Sequence, residues 1–274
     1  MKINVFQVIL WTFGGYFLVR LVGLLLLQIT PSFQHDFVPQ AATLCAVYLA
    51  LCALFAGRRP GRSWSETFAT RRTNPWLIIF AFFLGIVVCV PADAFADFIE
   101  RLAPMDKALK EQLERALKPR SMAHGVALFM FIAGIAPFAE ELFFRGALYT
   151  GLRPSHTPLS AGWTTAVFFT LSHDEPRFWP SILILAGLLA TVRAVSGSLW
   201  PSVFMHVAFN ATSLAVFLAP PPFKDPSLVV VFGCIPIALA LLGLMVWIGR
   251  HSESADRARR VDLEPDPGIG ETDP

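Results

Sequence analysis

The chain is organised by long apolar runs separated by short polar connections. A window of about 19 residues picks out eight of them, over residues 5 to 29, 38 to 56, 75 to 96, 122 to 152, 158 to 173, 178 to 195, 198 to 219 and 227 to 249. Each is near the ~20 residues that a helix needs to cross a hydrocarbon core about 30 Å thick. The pattern predicts an all-α, polytopic membrane protein with about eight transmembrane helices, one domain over residues 1 to 250. The fourth run is too long for one perpendicular span and holds Pro137, so a kink with tilt or protrusion is expected there. The first run, from Val5 to Ile29, is longer than a signal-peptide core and lacks a small-residue cleavage pattern, so it should remain as a span. After Arg250 the chain becomes charged and rich in Pro and Gly, which predicts a disordered polar tail over 251 to 274.

Composition narrows the class. With 55% hydrophobic and only 15% charged residues and a mean hydropathy of +0.57, soluble and disordered proteins are excluded. The net charge of +2 gives no argument for a nucleic-acid partner; the lipid bilayer is the partner implied. Lys and Arg counted on alternate sides of the spans give 13 against 8, with Arg20 inside the first run left out. That bias places both termini in the cytoplasm, and a chain without a targeting extension suits a prokaryotic plasma membrane. Cys45, Cys52, Cys89 and Cys234 lie inside apolar runs with no CxxC pair, and read as small buried side chains. Between residues 97 and 121, charges of both signs nearly cancel and Leu109, Leu113 and Leu117 recur every four residues. The spacing suits an amphipathic helix at the interface, either as a plain connector or as a substrate gate.

Ionisable residues inside spans are the costly ones, at least ~2.5–3.5 kcal/mol each near the bilayer centre. Span four carries Glu140, Glu141 and Arg145, span five ends at His173, and span seven carries His206 and Asn210. At 1.5 Å per residue, counting from the turns near Ser155 and Gly197, Glu140, His173, His206 and Asn210 fall within a slab about 13 Å thick. Glu141 and Arg145 are four apart with the acid first, the better order for a helical ion pair. Glu140 therefore points elsewhere and stays free. His206 and Asn210 share a helix face in the same way. Taken singly, each of these residues has an ordinary explanation: a satisfied buried ion pair for Glu141 and Arg145, and a packing or interfacial histidine for His173 or His206. Their joint occurrence at one depth argues for a site.

Three motifs carry these residues: EExxxR (Glu140, Glu141, Arg145), FxxxH (Phe169, His173) and HxxxN (His206, Asn210). In this order and spacing they resemble the CPBP family, the CAAX protease and bacteriocin-processing membrane proteases also called the Abi family, over about residues 122 to 215. The resemblance implies an eight-helix intramembrane endopeptidase, type II CAAX prenyl protease-like. The residue matching the water-activating acid is Glu140, assisted by His173, while His206 and Asn210 match the pair that stabilises the oxyanion. Glu141, Arg145 and Phe169 are supporting.

The residues bear the same chemistry without the family. Peptide hydrolysis needs an activated water, a proton shuttle and oxyanion donors, and an apolar cavity raises a glutamate toward the range of a general base. Glu140, His173 and His206 also form a two-histidine, one-carboxylate set that suits zinc with an open fourth position. Against zinc stand the lack of HExxH, the placing of the histidines on different spans, and an Asn better suited to donate to an oxyanion. Metal-free catalysis with no cofactor is the reading preferred. Two other classes remain open: a proton-coupled transporter, disfavoured by the lack of an internal repeat, and a non-catalytic scaffold using polar residues for packing. The expected substrate is a peptide or membrane protein, CAAX-like by resemblance. With the cluster nearer the outer face, exported peptides, leader sequences or embedded helices are favoured.

Overall fold

The structure, a computed structural model, describes residues 2–219 and 226–261. Ten helices follow one another: α1 (Val5–Ile29), α2 (Phe37–Gly57), α3 (Trp64–Phe68), α4 (Pro75–Leu102), α5 (Lys107–Leu117), α6 (Met122–Leu152), α7 (Pro158–Leu171), α8 (Trp179–Ser196), α9 (Trp200–Leu218) and α10 (Leu228–Val261). Local chemistry sets several of the starts. Asn4 and Gln7 form a capping box at α1, Asp36 caps α2, and Asn74 and Thr157 cap α4 and α7 with a proline at the first helical position. Gly197 ends α8 at φ 63°, a left-handed position that costs glycine nothing.

Among the described residues seven helices are long and apolar enough to cross a membrane, and the chain is an integral membrane protein. The fifth expected span differs. It forms α7, only 14 residues, which at 1.5 Å per residue is about 21 Å. Thr157 caps it at the expected start, Pro158, and it stops at Ser172, where the polar SHDEP segment begins, so His173 lies in the bend just beyond the helix. The expected disordered tail is also displaced. α10 continues through Val261, because adding Ala, Glu and Arg residues to an existing helix is far easier than nucleating one. Residues 262–274 of that tail lie outside the described residues. The leucine stripe forms the amphipathic α5, with Ala116 buried and Leu109 exposed. Cys45, Cys52 and Cys89 are buried, whereas Cys234 is half-buried.

α6 is the irregular element. Its turns over Met130–Ile135 and Leu142–Leu148 are π-helical, on either side of a regular stretch over Ala136–Glu141. The expected kink at Pro137 appears as the first of these π turns, in which the N–H of Ala136 bonds Phe131.

The bundle has two distinct ends. At one, the Ile3 N–H bonds the Gly151 carbonyl, Leu199 N–H bonds Ala69, Arg71 bonds Gly197, and Trp247 and His251 of α10 lie beside Asn74 and Trp76. Both ends of the described chain are therefore on one face. At the other, Asp36 pairs with Arg120 and accepts from His124, tying the start of α2 to the start of α6, and Arg177 bonds the Pro104 carbonyl. Burial pushes the Asp36 carboxyl up, but the hydrogen bonds from His124 and Val38 and the charge of Arg120 bring it below the usual carboxylate range.

α4 crosses α9 so closely that a methyl group on Gly85 would fall against the Met205 carbonyl and within 3.0 Å of the Ala208 Cβ. Neither backbone can yield. We expect Gly85→Ala to destabilise the protein by about 1–3 kcal/mol, measured by unfolding in detergent, while Gly243→Ala, whose methyl would meet nothing, changes stability by less than about 0.5 kcal/mol.

Candidate active site

The site is built around one buried carboxylate. Glu141, fully buried on α6, receives the Arg145 Nη1 at 2.8 Å and the His206 Nδ1 at 3.2 Å, both on Oε1. Arg145, equally buried, donates its other arm to the Ala186 carbonyl at 3.0 Å, and its guanidinium lies 4.6 Å from the Phe169 ring. The ion pair expected from the four-residue spacing is present. Sequence reading missed the link to His206, because no periodicity relates α6 to α9.

A carboxylate only accepts, so the His206 Nδ1 carries a proton and the Nε2 is left facing Glu140, whose Oε2 lies 3.8 Å away. The same logic holds at His173, whose Nδ1 bonds the Phe169 carbonyl at 2.9 Å. Each imidazole is thus oriented through Nδ1, by backbone in one case and by an ionised carboxylate in the other. Phe169 links them, with its ring 4.9 Å from His173, 5.8 Å from His206 and 5.1 Å from Phe144.

Asn210 lies one turn beyond His206. Its Nδ2 donates to the Ile132 carbonyl at 3.0 Å. The cause is local: in the π register that pairs Ala136 with Phe131, the next donor would be residue 137, and proline has no N–H. One of the two amide N–H groups closes this gap, and the other remains for the cavity.

Glu140, Phe169, His173, His206 and Asn210 all line one cavity of about 830 Å³. Gln112 of α5 and Phe33 and Phe37, at the end of the bundle that carries α5, also line it. The candidates proposed from sequence are therefore gathered, with Glu140 and the two histidines on the cavity and Glu141 and Arg145 behind them. The cavity also has walls that sequence reading did not assign to it: Tyr16, Arg20 and Leu27 of α1, Leu44 of α2, and Asp93 of α4. Arg20 was visible as a charge inside an apolar run, and that was its only signal.

Zinc can be tested against the side chains. Both histidines present Nε2 toward the cavity with Nδ1 held, an orientation that serves a proton carrier or a metal ligand alike. Glu140 and His206 face each other at 3.8 Å, and among the described residues no three His, Cys, Asp or Glu side chains are placed to hold a metal ion.

A bundle of apolar helices enclosing a carboxylate, two imidazoles and an amide defines a polytopic membrane protein with an internal polar site. Residues 122–212 match the family described as type II CAAX prenyl endopeptidase Rce1-like, in agreement with the three motifs. The match takes in every motif residue and leaves α1 to α5 outside it. No curated protein and no solved structure matches the chain.

Removing Arg145 would leave Glu141 charged, buried and short of its main partner. We expect Arg145→Ala to cost about 3–5 kcal/mol of stability, seen as a lowered melting temperature or loss of monodisperse protein in detergent, while Glu140→Gln melts close to the wild type.

Proposed function

We propose that the protein is a metal-free intramembrane endopeptidase in which Glu140 activates the hydrolytic water. The observation that carries this reading is the contrast between adjacent carboxylates: Glu141 is bound by Arg145 and His206, whereas Glu140 faces the cavity with the His206 Nε2 3.8 Å away. In the proposed reaction Glu140 takes a proton from water as its oxygen attacks the peptide carbonyl, with His173 accepting the water's second hydrogen bond through Nε2. The spare N–H of Asn210 and a protonated His206 Nε2 donate to the oxyanion. The proton held by Glu140 then passes to the departing amine as the C–N bond breaks. Glu141 is a positioning residue, acting through His206 in the manner of a carboxylate behind a catalytic imidazole.

The substrates are membrane-associated or CAAX-like peptides. Because the cavity reaches Gln112 of α5, at the end opposite the termini, cytoplasmic termini would place that side of it toward the outer face of a prokaryotic plasma membrane. A proton-coupled transporter is disfavoured by the Asp36, Arg120 and His124 tie, which joins two elements beside the cavity mouth instead of leaving them to move apart.

The test is cleavage of a fluorogenic peptide panel in detergent. Glu140→Ala is expected to abolish turnover, His206→Ala and Asn210→Ala to lower kcat about 10²–10³-fold each with little change in KM, and a zinc chelator to leave all rates unchanged. Chelator-sensitive activity restored by zinc would overturn the metal-free mechanism. Equal background cutting by all variants would overturn the peptidase assignment of these residues.

A further inference from the structure

Arg20 pairs with Asp174, which also accepts from the Tyr16 hydroxyl, and Arg145 pairs with Glu141. Arg193, in the last turn of α8, has no such answer although it is only 5% exposed. Its Nε donates to the Arg145 carbonyl at 3.3 Å and its Nη2 to the Thr150 hydroxyl at 3.2 Å, and its guanidinium lies 4.9 Å from the Tyr149 ring. Every one of these partners is neutral, and Nη1 takes part in none of the hydrogen bonds. A guanidinium taken out of water is costly unless an opposite charge meets it. The dipole at the C-terminal end of α8 offsets only a small part of that cost.

Two more arginines converge on it. Arg71, between α3 and α4, donates from Nε to the Gly197 carbonyl at 2.8 Å, and a methyl group on Gly197 would come within 3.0 Å of its Nη2, so this guanidinium lies against the end of α8. Arg153, directly after α6, bonds the His156 carbonyl through Nη1. Both side chains are exposed, and both lie close enough to Arg193 to repel it. Among the described residues none of the three forms an ion pair with a carboxylate. Glu141 attracts Arg193 without touching it and is committed to Arg145 and His206. Arginines in the loops on one side of a membrane protein are ordinary. A buried arginine flanked by two others, with no acid among them, is not.

We propose that Arg71, Arg153 and Arg193 form a binding site for a phosphate group, carried by an anionic lipid headgroup or free in solution. Three guanidinia brought in from three segments can each take one oxygen of a tetrahedral phosphate, whereas a carboxylate, with two oxygens in one plane, is satisfied by a single fork. The place suits a lipid: α8 stops at Gly197, which puts the cluster at the boundary of the bilayer, where headgroup phosphates are dense and an anionic leaflet adds its own attraction. None of the three arginines lines the cavity, so the site stands apart from the proposed hydrolysis. Through the bond from Arg193 to the Arg145 carbonyl, a bound phosphate braces the turn of α6 that carries the buried ion pair.

In the test, purified protein in detergent is titrated with phosphatidylglycerol or phosphatidylcholine and the retained lipid is counted by native mass spectrometry, while melting temperatures are compared in sodium phosphate and sodium acetate at equal ionic strength. The expected result is one phosphatidylglycerol held about tenfold or more tightly than phosphatidylcholine. That preference is expected to be lost in Arg71→Gln and Arg153→Gln, weakened in Arg193→Lys, which keeps the charge without the fork, and kept in Arg62→Gln, which removes an exposed charge outside the cluster. Should the buried Arg193 variant fail to fold, the exposed Arg153 still decides the matter. Melting raised by phosphate over acetate in an Arg153-dependent way, with no lipid preference, would support the site with free phosphate as its ligand. An equal loss in Arg62→Gln would reveal a diffuse surface attraction and overturn the site, as would equal retention of the two lipids together with equal melting in phosphate and acetate. Phosphate binding that appears only after residues 262–274 are removed would make the acids of that segment, Asp262, Glu264 and Asp266 among them, the missing counter-charge, and would overturn the proposal too.

Discussion

Everything around the cavity depends on one oxygen, the Oε1 of Glu141, which accepts from both Arg145 and His206. A carboxylate with no solvent exposure at membrane depth is untenable by itself. Arg145 supplies the compensating charge from one turn away on the same helix, its second arm donates to the Ala186 carbonyl, and the Phe169 ring lies against the guanidinium. The same oxygen fixes which nitrogen of His206 is protonated and which way its ring faces. One buried ion pair thereby sets the orientation of an imidazole on a different helix.

The adjacent glutamate gains its freedom from this arrangement. Successive residues on a helix are turned by about 100°, since 3.6 residues make a turn, so the two acids face different directions and only Glu141 pairs with Arg145, while His206 meets each of them through a different nitrogen. Arg145 is committed to Glu141, and Glu140 is left with the cavity. A second local departure from regularity acts on Asn210. The π turn before Pro137 leaves the Ile132 carbonyl without the donor that the next residue would have supplied, and the Asn210 amide takes that role. α6 and α9 are thus joined at two heights, by Glu141 with His206 and by Ile132 with Asn210.

The parts of this arrangement that follow helical periodicity were legible in the sequence. The apolar runs gave the spans, four-residue spacing gave the Glu141–Arg145 pair and the shared face of His206 and Asn210, and counting residues from the turns put Glu140, His173, His206 and Asn210 at one depth. What periodicity does not encode was missed. Nothing in the pattern relates His206 to Glu141, or Tyr16 and Arg20 to Asp174, since these contacts depend on which helices become neighbours. The shortness of α7 was already visible in the 16-residue run 158 to 173, and only its stop at Leu171, which leaves His173 in a bend, was not. The extension of α10 was hidden because helix propagation tolerates residues that composition alone assigns to a tail.

The brevity of α7 has a consequence for the site. A helix spanning the full thickness would have carried residue 173 onto regular helical backbone, with its neighbours turned toward different sides. α7 instead ends at Leu171, and the chain bends through Ser172 and His173 before the turn Pro176–Phe178 leads into α8. In that bend His173 keeps a helix-like bond from Nδ1 to the Phe169 carbonyl, four residues back, while the Trp179 Nε1 binds its own carbonyl at 2.9 Å. The backbone is thus fixed from both sides although it belongs to no helix. It is this irregular corner, pinned at the His173 imidazole and carbonyl, that lets His173 and Asp174, consecutive in sequence, both line the cavity. Irregular backbone at membrane depth is tolerated where it lines a polar cavity, and here it places an imidazole and a carboxylate side by side on the wall opposite Glu140's own helix partners.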